Sequence, residues 1–238
     1  MRWILPVLLA LGACNRGLGD AGWYTAALAE KSYGAAASDC RKIHAADSRE
    51  DCLLAAMSQN NRLQDADCAE LTVSKWHEEC LFMLGERISA SGNLALGLQT
   101  CERSRFARSC TWHLLQDKVQ ATMDQPPATA ERVLDHFQRV PSLPDATYQF
   151  WVIRLREAAE LGRPVDEADC IPSRDPAACR RAVEAHVRRI LDTLGRGGLA
   201  SACKAAPGAR ATTGGKPAWL PGPITLAVEA NWVREKCR

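Results

Sequence analysis

Cys40-Arg41-Lys42-Ile43-His44-Ala45-Ala46-Asp47-Ser48-Arg49-Glu50-Asp51-Cys52 is the stretch on which the fold turns. Two cysteines 12 residues apart straddle a polar break, with helix-forming residues on either side. Upstream, Tyr24 to His44 is Ala-rich and reads as a helix. Ala46-Asp47-Ser48 offers a break and an N-cap, and Glu50-Asp51 places acid in the first turn of a second helix, where the dipole favours it. Cys52 to Met57 continues that helix. A cysteine about one turn before a tight bend faces a cysteine about one turn after it, within the roughly 4.4–6.8 Å Cα separation that a disulfide needs. The stretch predicts a helical hairpin closed by a disulfide.

The arrangement recurs along the chain. Cys68 and Cys80 are again 12 apart, Cys101 and Cys110 are 9 apart, and so are Cys170 and Cys179. In the first three pairs the leading cysteines step by 28 and 33 and the trailing ones by 28 and 30. A period near thirty is the mark of a repeat array built from one supersecondary unit. In the second unit the break falls near Thr72-Val73-Ser74, with Ser74 as the cap of a helix through Trp76, Cys80, Phe82, Met83 and Leu84. In the third, Ser104 precedes Phe106, Cys110, Trp112, Leu114 and Leu115. Trp76 and Phe106 each stand four residues before a cysteine, on the same helix face, and read as hairpin packing rather than ligand contacts.

A cysteine-free unit fits between Cys110 and Cys170. It would have one helix over Ala128 to Val140, a break at Pro141 to Pro144, and a second helix over Asp145 to Leu161. Beyond it, Pro176 suits a first helical turn, Ala177 to Leu194 forms a long helix, and Gly195 to Gly198 ends it. Pro207 to Pro223 is rich in Gly and Pro and reads as an irregular loop. Ile224 to Lys236, bearing Trp232, is the last helix, which Cys203–Cys237 would tie back as a cap. The predicted fold is all-α: disulfide-stapled helical hairpins stacked as a short α-solenoid-like array over residues 21–200, then a C-terminal loop and capping helix over 201–238. Ten cysteines allow many connectivities. Nearest-neighbour pairing is expected: Cys40–Cys52, Cys68–Cys80, Cys101–Cys110, Cys170–Cys179 and Cys203–Cys237.

Ahead of the array, Met1-Arg2 supplies a positive start and Trp3 to Leu11 a short apolar core. A membrane-spanning helix needs about 20 apolar residues. This core is too short to span and fits the apolar region of a signal peptide. Ordinary secretion with Cys14 as a plain thiol, and a buried N-terminal element, are the competing readings. Parity weighs against them: setting Cys14 aside from the 11 cysteines leaves an even set for pairing. Leu11-Gly12-Ala13-Cys14 resembles the lipobox of bacterial lipoprotein precursors. The resemblance implies removal of residues 1–13 as a signal peptide and acyl chains, palmitate among them, on Cys14. Residues 14–20 become a lipid-anchored tether, and the chain is held on a membrane of the bacterial cell envelope. Asn15 after the cysteine leans, by the same resemblance, towards the outer membrane rather than the inner one. Ten further cysteines suit an oxidising compartment.

The charge balance of 30 Lys+Arg against 28 Asp+Glu offers no basic face for nucleic acid. The chain has no CxxC, so neither a thioredoxin-like site nor a zinc ribbon is indicated. His77-Glu78-Glu79-Cys80-Leu81 begins like a zinc-hydrolase helix, but Leu81 stands where the second His is required. His44, His77, His113, His136 and His186 are well separated. Arg180, Arg181, Arg188 and Arg189 form a basic stripe on one helix, read as a solvated face or as a contact for anionic headgroups or cell-wall polymer. No catalytic residue, metal or cofactor is predicted.

In general plan these hairpins are similar to tetratricopeptide and Sel1-like repeats, especially the cysteine-rich Sel1-like secreted proteins, although the Gly/Tyr/Ala consensus of those families is missing. The resemblance implies a curved solenoid with a concave partner-binding face. The expected function is a binding or scaffold module in the envelope, with a protein or cell-wall partner. The alternative is an envelope enzyme or accessory subunit with a site built from residues such as His77, Glu78, His113 or Glu131. Convergent His and carboxylate in a deep pocket would favour the enzyme. A broad groove with aromatics and mixed charge would favour the binder.

Overall fold

The computed structural model describes residues 19–61, 63–162, 167–205 and 222–237, and the backbone of 212–213 and 216–217. The 1–13 leader, Cys14 and most of the 14–20 tether lie outside the described residues, as does most of the 207–223 loop. The described chain is all-helical. It runs α1 (Asp20–Ala29), α2 (Tyr33–Cys40), α3 (Ala46–Gln59), α4 (Asp65–Ala69), α5 (Ser74–Ala90), α6 (Leu94–Glu102), α7 (Ala107–Ala121) and α8 (Pro127–Ala130). A 3-10 helix (Glu131–His136), α9 (Ala146–Glu160), a second 3-10 helix (Glu167–Cys170), α10 (Pro176–Lys204) and α11 (Pro223–Lys236) complete it. The remaining regular structure among the described residues is a minimal antiparallel pairing of Thr212–Thr213 with Lys216–Pro217. No helix among the described residues is long and apolar enough to cross a membrane.

The five neighbouring cysteine pairs stand at disulfide distance. Cα separations are 5.5 Å for Cys40–Cys52, 5.4 Å for Cys68–Cys80, 5.5 Å for Cys101–Cys110, 5.4 Å for Cys170–Cys179 and 5.8 Å for Cys203–Cys237. The first eight of these cysteines are buried. Each short link closes a loop of roughly ten to fifteen residues and removes unfolded-state entropy worth about 3 kcal/mol. Replacing Cys68 and Cys80 together by Ala is therefore expected to cost about 3 kcal/mol, measured as a lower denaturant midpoint with helicity retained. An unchanged midpoint would show that hairpin packing alone holds this unit.

Several helices depart from the sequence expectation, each for a local reason. Tyr24 to His44 is two helices, because the Ser32 hydroxyl accepts from Ala35 N–H and starts α2 afresh. Ala46-Asp47-Ser48 is not a break but the first turn of α3, whose N-cap is Ala45. Glu50 consequently lies beyond that first turn. Ser74 opens α5 rather than capping it, and Val73 takes the cap position. Ala128 to Val140 is not one α-helix: after four residues of α8 the chain tightens to a 3-10 helix ending at His136. At three residues per turn, Glu131, Leu134 and Phe137 line one inward face, and all three are buried. The Gly195–Gly198 stop is an interruption only. The backbone is extended at Gly198, helix resumes, and α10 crosses residue 200 to present Cys203.

Packing follows chain order: α1 to α3 pack mutually, α5 on α6 and α7, α7 on α9, α9 on α10, and α10 on α11. Two apolar cores result. One gathers Ala27, Ile43, Leu54, Met57 and Leu81, and the other Leu114, Phe137, Phe150, Trp151, Val187 and Trp232. A buried side chain of this size contributes about 1.5–3 kcal/mol. Both cores reach the α5–α6 contact, where Gly85 and Gly97 bring two backbones together.

A recurring carboxylate ties one hairpin to the next. Asp20 on α1 accepts from the backbone N–H of His44 and of Ala45, both at 3.0 Å, at the bend before α3. Glu50 on α3 accepts from Val73 N–H at 2.7 Å and the Thr72 hydroxyl at 2.6 Å, before α5. Glu78 on α5 accepts from Arg105 N–H at 2.8 Å, before α7. Glu131 holds Arg174 N–H at 2.7 Å before α10, and Glu167 holds Ile224 and Thr225 N–H at 2.9 and 2.6 Å at the start of α11. Helix starts expose unpaired N–H groups and favour negative charge, so each carboxylate meets donors that would otherwise need water.

Candidate functional site

A groove of about 910 Å³ opens between α9, α10 and α11. One wall is a face of α10: Arg181, Glu184, Ala185 and Arg188, spaced as i, i+3, i+4 and i+7. The other is a face of α11, with Ile224, Ala227, Val228 and Asn231 at the same spacing. Tyr148 and Asp145, from the start of α9, close one end. Ile224 and Val228 are half-buried, whereas Arg181, Glu184 and Arg188 are exposed. The result is an apolar floor under a lip of mixed charge.

The groove is pinned at both ends of α11. At its start the Glu167 carboxylate holds two backbone N–H groups and the Thr225 hydroxyl, the latter at 2.8 Å. Towards its end the Trp232 indole N–H donates to Asp192 on α10 at 2.8 Å, Arg188 pairs with Glu235, and Cys203–Cys237 closes the connection. Gly195 makes room for the Trp232 ring, since a Cβ there would lie 2.9 Å from it. These contacts set the width of the groove before anything enters it.

The structure divides the Arg stripe. Arg181 and Arg188 face the groove, and Arg181 has no ion-pair partner among the described residues. Arg189 turns to His186, its guanidinium 3.2 Å from Nδ1. Burial, reinforced by Arg189, pushes the His186 imidazole down to about 4. That leaves it neutral near pH 7.

The four catalytic candidates are engaged in separate structural contacts. His77 Nδ1 lies 2.9 Å from the Cys68 carbonyl of its own hairpin. Glu78 points the other way, to Arg105. Desolvation opposes its charge, but the Arg105 N–H and the Ser104 hydroxyl outweigh this and hold its carboxyl below the ordinary value. His113 Nδ1 lies 3.2 Å from Glu86, with its ring edge-on to Phe82 and Trp112. Burial raises Glu86, with Asp117 and Glu79 adding to the effect against the pull of His113. Glu86 also borders a cleft of about 520 Å³ with Met83, Arg87 and Asp117, which His113 does not line. Glu131 is fully buried against Trp151, Ser173 and Arg174. No group of three His, Cys, Asp or Glu among the described residues could hold a metal ion.

Trp76 and Phe106 are half-buried, each beneath a cation of its own hairpin: Lys75 at 4.0 Å and Arg105 at 5.1 Å. Trp76 also donates to Asp47 at 2.8 Å, which links it to the preceding unit. The tying carboxylates were absent from the sequence expectation. Their trace is visible in hindsight: Glu50 and Glu78 each stand two residues before a trailing cysteine. Spacing along the chain places Glu50 on its own helix dipole, whereas the fold gives it to the next bend.

Comparison with protein families, with curated proteins and with solved structures finds no match to this chain.

Proposed function

We propose that the chain is an exported, lipid-anchored helical-repeat protein that serves as a binding or scaffold module in a bacterial envelope. The observation that carries this reading is the cysteine arrangement. Ten cysteines stand as five pairs at disulfide distance within or beside helical hairpins, and Cys14, in its lipobox-like setting, is the eleventh. Paired cysteines in this number suit an oxidising compartment. The chain-order packing of hairpins is what a short α-solenoid would require. The pinned α9–α11 groove, with Tyr148, an apolar floor and mixed charge, suits a protein or cell-wall partner better than it suits acid–base chemistry. Asn15 adds a leaning towards the outer membrane.

Intact-mass measurement on the native protein, with thiol alkylation before and after reduction, tests the address. The expected species starts at a lipid-modified Cys14 and releases ten thiols only on reduction. Cys14→Ser is expected to move the chain from the membrane pellet to the soluble fraction by at least about tenfold, since several acyl chains together give stable anchoring. A photoreactive residue at Ala227 tests the binding role: a specific adduct from the groove supports it. An unlipidated chain in the soluble fraction would falsify the anchor, and free thiols without reduction would overturn the oxidised hairpins.

A further inference from the structure

Asp20, Glu50 and Glu78 share one geometry. Each sits on an earlier helix and accepts donors at a later bend: Asp20 on α1 from His44 and Ala45, Glu50 on α3 from Thr72 and Val73, and Glu78 on α5 from Arg105. Each bend lies between two cysteines of a pair, Cys40–Cys52, Cys68–Cys80 and Cys101–Cys110. Two kinds of link therefore act at different levels. Covalent links close each of these hairpins, and ionised carboxylates clasp each of their bends to a helix earlier in the chain. We propose that the N-terminal half of the fold is acid-jointed: protonation of Asp20, Glu50 and Glu78 releases the three bends while the disulfides keep every hairpin closed.

An ionised carboxylate accepts several donors, and charge strengthens each bond. A protonated one is a weaker acceptor and carries a hydroxyl that needs an acceptor of its own. The charged groups facing each carboxylate are few. Asp20 meets the His44 imidazole, Glu50 the neighbouring Arg49, and Glu78 meets His77 and Arg105. Backbone N–H bonds from His44 and Ala45 hold Asp20 below its ordinary value of 3.8. Burial opposes ionisation of Glu50, but Thr72 and Val73 outweigh it and hold that carboxyl below 4.5. Folded values below unfolded ones make the clasps fully effective at neutral pH and weaken them as pH falls through the folded values. The hydroxyl of Tyr24 donates to Asp51 at 3.1 Å and the indole of Trp76 to Asp47 at 2.8 Å, across the same joints.

Amide hydrogen exchange on the oxidised full-length chain, corrected for the intrinsic pH dependence of exchange, tests this. As pH falls from 7 to 2, protection at Ala45, Val73 and Arg105 is expected to fall severalfold, while Leu54, Met57, Leu114 and Leu115 inside the helices keep theirs. At pH 7, Glu50→Gln is expected to lower protection at Val73 alone, and Glu78→Gln at Arg105 alone, because the neutral amide oxygen is a weaker acceptor than the carboxylate. Simultaneous loss at bends and helix interiors in the wild type would overturn the proposal. So would a Glu50→Gln chain that keeps Val73 protected and shows the same acid step. The wild-type profile and the two variants are read independently, so a variant that fails to fold leaves the other two decisive.

Discussion

Glu131→Ala is expected to lower the unfolding free energy by about 3–5 kcal/mol, the summed cost of leaving several buried donors without an acceptor at about 1–3 kcal/mol each. The Glu131 side chain is 0% exposed. It accepts from the Trp151 indole at 2.6 Å, from the Ser173 hydroxyl at 2.6 Å and from Arg174 N–H at 2.7 Å. Trp151 and Ser173 are themselves buried, so removal of the carboxylate strands donors that water cannot easily reach. Trp151 also reaches the Ser173 oxygen at 3.1 Å, which recovers part of one bond. Glu131→Gln keeps the shape and one acceptor oxygen, and about half the loss is expected. Urea denaturation followed by circular dichroism measures both variants. A loss below about 1 kcal/mol for Glu131→Ala would mean that water fills the site and the network adds little. The residue matters because its hairpin has no cysteines: Glu131 joins the 3-10 helix to α9 and on to α10, a polar link where other units have a disulfide.

Gly97→Val is expected to cost about 3 kcal/mol or more, and to weaken the coupling between the two cores. A Cβ at position 97 would lie 2.8 Å from the Gly85 carbonyl oxygen and 3.1 Å from Ser89 Cβ. A Cβ at position 85 would lie 2.9 Å from Cys101 Sγ. The nearest neighbour of Gly97 is backbone within a helix, which cannot swing aside as a flexible side chain can. Helix propensity runs the other way, since Gly costs about 1 kcal/mol relative to Ala in a helix interior. Gly34→Ala in α2 separates the two effects. A Cβ there meets nothing within 4 Å, and a neutral change or a gain of up to about 1 kcal/mol is expected. Equal behaviour at positions 34 and 97 would refute close packing as the reason for glycine at α5–α6. A broadened, non-coincident unfolding transition in Gly97→Val, seen with probes in each half, is the expected sign of decoupled cores.

Two helices were the most legible part of the chain. Ala146–Glu160 and Pro223–Lys236 lie within one residue of their sequence expectation, because a proline marks where each begins. Boundaries failed where a side chain elsewhere decided them. Ser32 restarts a helix, Glu50 and Asp20 hold the bends that would otherwise have needed their own caps, and Glu131 faces inward only because its segment winds as a 3-10 helix. His77 and Glu78, adjacent in sequence, diverge to different hairpins, which spacing along one helix could not reveal.

By itself, the sequence determined the all-helical class and the neighbours within the four short cysteine pairs, because a loop of about ten residues closes through local geometry. It also carried the stretch at Cys14, which depends on chain order and not on packing. Only the tertiary structure decided which carboxylate meets which bend, where α5 and α6 need glycine, and that α10 and α11 leave a groove between them. The donors at those bends are backbone N–H groups, common to nearly every residue. Their partners are set by how helices dock, and docking depends on the shapes of surfaces brought together from distant parts of the chain.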